Sequence, residues 1–522
     1  MVAPIIRRRK RRNFDFRNRV FLAIVSLMIT LASAIYWFWY IGLTTNEKLV
    51  RESSDRERVF TPKNSRERKW RYQKDAGPSV ASQEPMTIDE VTNFLSHWIK
   101  QLHQILTNDD NLQNSESMWK AYHKLTQKEL VPWDRQYIRR LPIPRNDDSI
   151  FLSIATYRDE NCFNTLSWAF GNSSHPDRLF VGLVQQNCYS DCRSGVISGK
   201  GTIEVPPDDD CPELFCQKHP EYCSQIRPLR LKETESLGPY GARFLASKLY
   251  GGEQWYMQID AHMTFLNKWD EITVRSLHKA PSKKPVVSHY PPGHTMDLAE
   301  HWAVRPAGRL CGPIFSKPDG AMIRMEGLKK WDKIKIPIPR FAPFAAAGFL
   351  IGTAQLLKEV PFDPFLPWIF MGEEIIMSAR LWTSGYDLFS PAQAVVGHIY
   401  VRKNKPKFWE SMHRYFRKAG HDDLEALILL RVKHQLGYPE ASRDLVKHSS
   451  LIDHLSTYGI GYNRTLDDYM KYAGIDVIRK EIYQTHYCEE HLMPPGKDHL
   501  AKLYDDAERE ARKNATLVEK GA

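Results

Sequence analysis

Short runs of apolar residues alternate with amphipathic segments along the middle of the chain. The runs at 149–156, 179–184 and 255–259 are rich in Ile, Leu, Val and aromatic residues, which predicts buried strands. A helix is predicted after the first run, and another over 239–250, where small and apolar residues share one face and two glycines follow. Strands that alternate with helices indicate an α/β domain with a largely parallel sheet.

The regions on either side of this α/β pattern do not show the alternation of strands and helices. Residues 87–130 show helical periodicity, and the chain beyond the α/β region is predicted to be mainly helical. Residues 44–85 are charged and have almost no apolar periodicity, which is typical of a disordered or weakly helical stem. We therefore predict an N-terminal helical segment over 86–146, an α/β domain over 147–405 that carries the catalytic site, and a helical C-terminal extension over 406–522.

One apolar run, residues 20–43, is long enough to cross a membrane. It carries no charge, and at about 1.5 Å per residue a helix of this length spans the ~30 Å hydrocarbon core. The tail over 1–19 holds eight Lys or Arg residues and one Asp, which favours a cytosolic N-terminus by the positive-inside rule. We predict a type II transmembrane signal-anchor with a lumenal body. A cleaved signal peptide, with small residues at 32–34, and a buried core helix are the alternatives.

The net charge of +11 falls at the N-terminal end of the chain. The basic tail contributes +7, and residues 47–75, with ten basic and six acidic side chains, contribute +4. Residues 76–522 are therefore neutral overall. Proteins that bind nucleic acid are expected to carry their basic excess on the folded body, where the phosphates lie. The distribution of charge therefore argues against nucleic acid as a partner.

The eight cysteines agree with a lumenal body. All of them follow the apolar run, and five lie within residues 188–223. No C-x-x-C pair is present, so disulfides are favoured over a structural zinc site, although the sequence does not fix their pairing. Sequons at Asn172, Asn463 and Asn514 permit N-glycosylation in the same compartment, which would make the chain a glycoprotein.

Candidate metal ligands follow the third predicted strand. It ends in a D-x-H motif, and strand alternation puts Asp260 and His262 on the same side of the chain. A carboxylate and an imidazole with open positions beside them suit Mn²⁺, with Mg²⁺ as a second choice. Ligands of α/β sheets bind at the carboxyl ends of the strands. We therefore predict a divalent metal at this position that holds a nucleotide diphosphate.

Three more features follow along the chain. A run of small residues over 345–352 permits close approach of the backbone to a ligand. Glu373 and Glu374 precede a predicted helix over 375–383 and are candidate site residues. Alternatively, their carboxylates only stabilise the N-terminus of that helix through its dipole. His398 ends an apolar run and is a candidate third metal ligand. An ordinary histidine near a strand end is the alternative for that residue.

Taken in order, these motifs resemble those of metal-dependent retaining glycosyltransferases of the GT-A fold. The stretch over 151–402 is similar to the polypeptide α-N-acetylglucosaminyltransferases, glycosyltransferase family 60, and more distantly to the polypeptide N-acetylgalactosaminyltransferases. The matching pieces are the D-x-H at Asp260, the A-G-aromatic loop at Gly348, the G-E-E at Glu373 and the G-H-aliphatic-aromatic motif at His398. No Q-x-W repeats follow in the sequence, so the lectin domain of the galactosaminyl group is not expected.

The resemblance implies a GT-A type fold, a Rossmann-like mixed sheet flanked by helices, and a role for each motif. It implies that one Mn²⁺ is bound by Asp260, His262 and His398. The donor-binding residues that it implies are Thr156, Arg158, Asp159 and Arg243 for the nucleotide, Gly348 for the sugar, and Glu373 and Glu374 as catalytic residues beside it.

These implications describe a retaining glycosyltransferase of the Golgi membrane that uses UDP-GlcNAc and Mn²⁺. Its expected acceptors are hydroxyl side chains of proteins, either Ser/Thr or hydroxyproline. Transfer of another UDP-sugar, or transfer onto a glycan, is the enzymatic alternative. The non-enzymatic alternative is an inactive Golgi scaffold or glycan-binding protein. Such a protein would be expected to lack one or more of the metal ligands, whereas all three are present in this sequence.

Overall fold

The computed structural model of the chain describes residues 84–109, 112, 114–194, 202–295, 307–310, 312–316, 322–326, 335–401, 405–410, 421–483 and 493–521. The predicted basic tail, signal-anchor and nearly all of the predicted stem lie outside the described residues, as do Cys311 and Cys488. Within the described ranges, no helix combines the length and the apolar character needed to span a bilayer. The described residues belong to one compact unit.

The strands, numbered in chain order, are β1 (Ile150–Tyr157), β2 (Leu179–Asn187), β3 (Ile226–Lys232), β4 (Trp255–Asp260), β5 (Met263–Phe265), β6 (Pro285–Ser288), β7 (Gly312–Ser316), β8 (Met322–Glu326), β9 (Arg340–Phe341), β10 (Phe349–Thr353), β11 (Asp387–Ser390), β12 (Val396–His398), β13 (Ile475–Asp476) and β14 (Glu481–Ile482). The α-helices are α1 (Ile88–Asn108), α2 (Ser115–Leu125), α3 (Val131–Arg139), α4 (Cys162–Gly171), α5 (Cys211–Lys218), α6 (Gly238–Ser247), α7 (Trp269–Lys279), α8 (Leu356–Glu359), α9 (Glu373–Thr383), α10 (His421–Gln435), α11 (Pro439–Asp444), α12 (Leu455–Tyr458), α13 (Leu466–Ala473) and α14 (Ala501–Gly521).

An eight-stranded mixed sheet lies at the centre of the unit, in the order β3-β2-β1-β4-β10-β6-β11-β9. Strands β1 to β4 are parallel, and β6 and β11 run in the same direction. Strands β10 and β9 run the opposite way. The predicted α/β fold with a mixed sheet flanked by helices is therefore confirmed. Because β1, β2 and β4 are parallel neighbours, their carboxyl ends meet at one edge.

The strands follow the predicted apolar runs, but β2 is longer than its run. It continues from residue 184 through Gln185, Gln186 and Asn187, whose amide side chains are buried. The amide of Gln186 donates to the carbonyl of Thr156 at 3.0 Å, and that of Asn187 donates to the carbonyl of Asp209 at 2.7 Å. Buried polar groups with hydrogen-bond partners can extend a strand past its apolar part.

Helix α6 is nearly the whole of the helix predicted over 239–250, and it packs on β1 and β2. Its small residues let the helix lie close to the sheet, and every residue except Pro239 is buried. It begins at Gly238, whose φ of 77° favours glycine. Gly238 also faces the backbone of Trp368, where a β-carbon would come within 2.8 Å. This close packing fixes the position of Arg243 in the middle of α6.

The described residues beyond 405 form α10 to α14 and one small antiparallel pair, β13 and β14. They share one hydrophobic core with the sheet. Trp382 of α9 lies 5.7 Å from the ring of Tyr469 in α13. Arg431 of α10 forms an ion pair with Asp363, and both side chains are fully buried. The division of the chain into a catalytic domain and an extension stays a prediction.

Three disulfides form among the described cysteines, which confirms the prediction of disulfides rather than a structural zinc site. They join Cys162 to Cys211, Cys188 to Cys192 and Cys216 to Cys223. The first bond joins the start of α4 to the start of α5, and the second lies in the loop after β2. The cysteine-rich loop is therefore fastened beside the carboxyl ends of β1 and β2.

Candidate active site

A cavity of about 470 Å³ opens at the carboxyl ends of β1, β2 and β4. Its walls also include the start of α9, strand β8, the end of β12 and part of the segment 405–410. Most of the site residues predicted from the sequence line it. Those residues are Asp159, Arg243, Asp260, His262, Gly348, Glu373, Glu374 and His398.

The three predicted metal ligands converge in this cavity. Asp260 ends β4, His262 follows one residue later, and β12 pairs with β5 so that His398 lies opposite Met263. One ligand atom from each of the three side chains lies within 4.8 Å of the others. The hydroxyl of Thr165 donates to the carbonyl of Ala261 at 2.9 Å and so holds the turn between Asp260 and His262. A short strand pair and one threonine therefore bring distant parts of the chain to a common point.

The surroundings of this triad fit a divalent cation. Nδ1 of His262 lies 2.7 Å from a carboxylate oxygen of the buried Asp159, which leaves Nε2 to face the cavity. Metal-binding histidines are commonly oriented by a carboxylate in this way. Nδ1 of His398 is buried and forms no hydrogen bond, while its Nε2 lies 3.1 Å from Oδ2 of Asp260. Two imidazoles and one carboxylate form a donor set that can hold a divalent metal ion.

Asp260 is held in its charged form. Burial acts to raise its pKa, but the hydrogen bond with His398 and the charge of Arg243 outweigh burial. The pKa of Asp260 therefore lies well below its ordinary value. A carboxylate that stays ionised is what a cation needs as a ligand.

Arg243 connects Asp260 to the start of α9. Its Nη2 donates to Oδ1 of Asp260 at 2.7 Å, and its Nη1 donates to Oε2 of Glu373. The guanidinium is almost completely buried. Arg243 therefore lies in the cavity wall, as its predicted donor contact requires, but its charge is already paired with two carboxylates.

Glu373 and Glu374 differ in their surroundings. Burial raises the pKa of Glu373 to about 7, because the charge of Arg243 only partly offsets the loss of water. Its second oxygen, Oε1, is buried and has no hydrogen-bond partner. Burial also raises the pKa of Glu374, whose oxygens accept from the hydroxyl of Tyr290 at 2.5 Å and from the amide of Ala347 at 3.0 Å. Glu373 therefore keeps a free acceptor, whereas both oxygens of Glu374 are engaged.

The small-residue run places Gly348 against the metal triad. The amide of Ala346 donates to the hydroxyl of Ser288 at 2.7 Å, and the carbonyl of Ala347 accepts from Gln258 at 2.6 Å. A β-carbon on Gly348 would lie 2.9 Å from Oδ2 of Asp260. The predicted close approach is present, and Asp260 is the group that the backbone approaches.

Thr156 and Arg158 are not among the residues that line the cavity, and their contact with the nucleotide stays a prediction. Side chains alternate along β1, so Ala155 and Tyr157 line the cavity while Thr156 faces the other side of the strand. Arg158 adopts a positive φ of 48°, and its guanidinium is completely buried in an ion pair with Asp208, at 2.8 Å. Arg158 therefore holds the loop after β2 in place.

Several residues that line the cavity were not predicted from the sequence. They are Tyr157, Gln186, Tyr290, Arg324, Phe370, Tyr400 and Trp409. Tyr290 follows β6. Because ligands of α/β sheets bind at the carboxyl ends of the strands, the reasoning that identified Asp260 applies to Tyr290 as well. Arg324 and Trp409 come from segments that carry no motif, so nothing in the sequence pattern marks them.

Comparisons with known proteins place this geometry in context. The chain is similar to the crystal structure of GalNAc-T7 with UDP, GalNAc and Mn²⁺, with 13% identity and a TM-score of 0.37 over 67% of this chain and 58% of that chain. It thus spans little more than half of that protein's structure. The crystal structure of S. aureus TarS residues 1–349 gives 14% identity and a TM-score of 0.31, covering 59% of this chain and 72% of that one.

A sequence comparison with the curated proteins found no match. A family model does match: the model for Glycosyltransferase (GlcNAc) covers residues 149–479, well over half of the 522 residues. The matched region contains the whole mixed sheet and all three predicted metal ligands. This match confirms the resemblance seen in the sequence motifs, and the protein belongs to the glycosyltransferase (GlcNAc) family.

Proposed function

We propose that this glycosyltransferase transfers N-acetylglucosamine from UDP-GlcNAc to hydroxyl groups of proteins, with Mn²⁺ as its cofactor and Mg²⁺ as a substitute. The observation that carries the proposal is the convergence of Asp260, His262 and His398 in a cavity at the carboxyl end of the sheet. A divalent cation bound there would stabilise the negative charge that develops on the UDP leaving group.

The residues around the triad have separable roles in this proposal. Asp159 orients His262, and Arg243 keeps Asp260 charged and in place. The free Oε1 of Glu373 suits a hydroxyl or amide N–H of the donor sugar, because a buried acceptor without a partner gains most from a new hydrogen bond. Glu374 supports the loop at Gly348 through Ala347. In this proposal, these arrangements position the donor.

Retention of configuration agrees with the state of the two glutamates. A nucleophilic carboxylate must have an oxygen free to approach the anomeric carbon. Both oxygens of Glu374 accept hydrogen bonds. Glu373 is bound to Arg243 through Oε2, and its free Oε1 is assigned above to a hydrogen bond with the donor sugar rather than to the anomeric carbon. We therefore propose attack by the acceptor hydroxyl on the face that the diphosphate leaves, without a covalent sugar–enzyme intermediate.

The compartment is part of the proposal as well. The charge-free run over 20–43 and its basic flank favour a type II protein of the Golgi membrane, with the catalytic unit in the lumen. The disulfides of the described part suit an oxidising compartment. Protease protection in intact microsomes tests the orientation, since a cytosolic catalytic unit would be degraded without detergent.

The test of the activity is a donor screen with the purified full-length protein in detergent. UDP release is measured with UDP-GlcNAc, UDP-GalNAc and UDP-glucose, in the presence of Mn²⁺, Mg²⁺ or EDTA. We expect UDP-GlcNAc with Mn²⁺ to give the highest rate and EDTA to abolish it. A higher rate with another donor would favour the alternative UDP-sugar, and no release with any donor would favour an inactive scaffold.

The metal site has its own variants in that screen. Asp260→Asn keeps the size of the side chain but removes its charge, and His398→Ala removes a ligand. Each change should lower turnover by at least ~100-fold, because a metal contributes several kcal/mol and each ~1.4 kcal/mol is tenfold. Unchanged turnover in EDTA, or in His398→Ala, would contradict a metal-dependent mechanism.

A further inference from the structure

Strand β8 forms one wall of the cavity. It pairs with β7 in an antiparallel hairpin, and Ile323, Arg324 and Met325 line the cavity. The hairpin packs against the start of α9, since a β-carbon on Gly372 would lie 3.5 Å from Sδ of Met322. The hairpin therefore brings Arg324 into the same cavity wall as Glu373 and Glu374, the first residues of that helix.

The carboxylates of the cavity are paired within the protein, whereas its cations differ: the ammonium of Lys407 lies 5.5 Å from the centre of the Trp409 ring, and Arg243 is bound to two carboxylates. The four acidic residues have partners within the protein: Asp159 contacts His262, Asp260 and Glu373 contact Arg243, and Glu374 accepts from Tyr290. Arg324 is exposed and forms no ion pair with any residue that the structure describes. An unpaired arginine on an outer surface needs no explanation, but one in the wall of an active-site cavity is available to a ligand.

The position of Arg324 indicates which ligand it meets. Arg324 and Tyr290 line the same cavity. Tyr290 supports Glu374, and Glu374 in turn supports the loop at Gly348. In the proposed function this loop presents the donor sugar, whereas the diphosphate is bound at the metal triad. Arg324 is therefore near the end of the donor where the acceptor arrives.

The mouth of the cavity supports a bound acceptor. Phe370, Tyr400 and Trp409 line it although they are 49%, 55% and 36% exposed. The rings of Phe370 and Trp409 are 4.8 Å apart. Exposed aromatic side chains that border a cavity provide contact area for a ligand that extends beyond it. An acceptor held by these rings would pass Arg324.

We propose that Arg324 recognises a negatively charged group of the acceptor, a carboxylate or a phosphate, next to the hydroxyl that receives the sugar. The proposal rests on the proposed function for the location of the donor. In this proposal Arg324 determines which acceptor is selected, and it takes no part in the chemistry. Arginine is suited to the task, because its planar fork donates two parallel hydrogen bonds to a carboxylate or a phosphate.

The experiment compares peptides that differ only beside a central Ser or Thr. Each flanking position in turn carries Glu, phosphoserine, Gln or Lys, and transfer from UDP-GlcNAc is measured with the full-length protein. We expect Glu or phosphoserine at one position to lower KM by about tenfold relative to Gln. Comparison of the Glu and phosphoserine series identifies the anion. Arg324→Gln should abolish this preference, Arg324→Lys should restore most of it, and Arg324→Glu should reverse it towards Lys.

Two controls keep the outcome interpretable. Arg479→Gln removes a 69% exposed arginine between β13 and β14 and should keep the wild-type preference. KM for UDP-GlcNAc reports donor binding, and a rise in this constant in Arg324→Gln equal to the rise in acceptor KM would assign Arg324 to the diphosphate and overturn the proposal. Equal use of all peptides by the wild type would overturn it as well.

Failure of the proposed function is recognised separately. Binding of the same fluorescent peptides is measured by anisotropy in the presence of Mn²⁺ and UDP, and it requires no turnover. Absence of UDP release with tighter binding of the acidic peptide would reject the proposed reaction and keep the role of Arg324. Equal binding of acidic and neutral peptides, or no binding of either, would reject that role.

Discussion

Gly348 lies so close to Asp260 that a β-carbon on the glycine would stand 2.9 Å from Oδ2 of the carboxylate. The carboxylate cannot move away freely. Its Oδ2 lies 3.1 Å from Nε2 of His398, and its Oδ1 accepts from Arg243 at 2.7 Å. The backbone at Gly348 is fixed as well, because Ala347 on its N-terminal side is bound to Glu374 and Gln258. A glycine is therefore required here to leave room for the metal ligand.

The first prediction concerns Gly348→Ala. The added methyl group should displace the carboxylate of Asp260 from His398, at a cost of about 1–3 kcal/mol. We expect the concentration of Mn²⁺ needed for half-maximal UDP release to rise by roughly tenfold or more. Gly293→Ala is the matched control, because Gly293 pairs with His398 but a β-carbon there meets nothing within 4 Å. The same Mn²⁺ dependence in both variants would show that the contact is unimportant.

The second prediction concerns Glu373 and pH. Burial raises its pKa to about 7 from an ordinary 4.5, against the charge of Arg243 and with the help of Glu374 and Asp260. Between these pH values the folded protein binds more protons at this site than the unfolded chain. The free energy of unfolding should therefore fall as the pH rises from about 4.5 to about 7, by up to roughly 3 kcal/mol from this group.

Glu373→Gln removes this titration. In EDTA, the fall in the free energy of unfolding between pH 5 and pH 8, measured by urea denaturation, should be smaller in Glu373→Gln than in the wild type. Glu510→Gln changes an exposed glutamate of α14 and should behave as the wild type. If both variants kept the full pH dependence, Glu373 would not be the group responsible.

Much of the sheet was predictable because buried parallel strands appear as continuous apolar runs. The ends of the elements were less predictable. Strand β2 continues to Asn187, and α9 begins at Glu373 rather than at residue 375. Both extensions carry buried polar side chains whose partners are remote: Glu373 is paired with Arg243, 130 residues earlier in the chain. Hydropathy alone gives no sign of such pairs.

The convergence of Asp260, His262 and His398 was predictable from motifs at strand ends, but the connections around these residues were not. Asp159 was predicted as a nucleotide contact, whereas the structure shows it bound to His262. Arg158 was predicted beside it, and its positive φ buries the side chain away from the cavity. The direction of a side chain after a strand ends depends on one or two backbone angles. The residue types do not determine those angles.

The third prediction concerns the buried pair of Arg158 and Asp208. Asp208 also accepts from the amide of Cys188 at 2.7 Å and contacts Lys405 at 2.8 Å. Asp208→Ala leaves the guanidinium of Arg158 buried without a counter-charge, which should lower the free energy of unfolding by about 3–5 kcal/mol. Lys405→Ala removes only the more exposed partner and should cost about 1 kcal/mol or less. Equal losses in urea denaturation would mean that the burial of Arg158 has no special cost.

The last prediction concerns the bond between Cys162 and Cys211. It closes a loop of 49 residues, whereas Cys188 and Cys192 are only 4 residues apart. A cross-link reduces the entropy of the unfolded chain more when its loop is longer, which gives about 4 kcal/mol for the first bond and about 2 kcal/mol for the second. Replacing both cysteines of a pair by alanine should therefore destabilise the protein more in the first case.

The two double variants are compared by urea denaturation under non-reducing conditions. The longer bond also fastens α5 to the start of α4, whose Thr165 holds the turn between Asp260 and His262. We therefore expect Cys162→Ala/Cys211→Ala to weaken Mn²⁺-dependent UDP release as well, and Cys188→Ala/Cys192→Ala to weaken it less. If the shorter bond proved the more stabilising of the two, its contribution would come from contacts in the folded loop, such as that of Cys188 with Asp208, and the entropy of the unfolded chain would not explain the order.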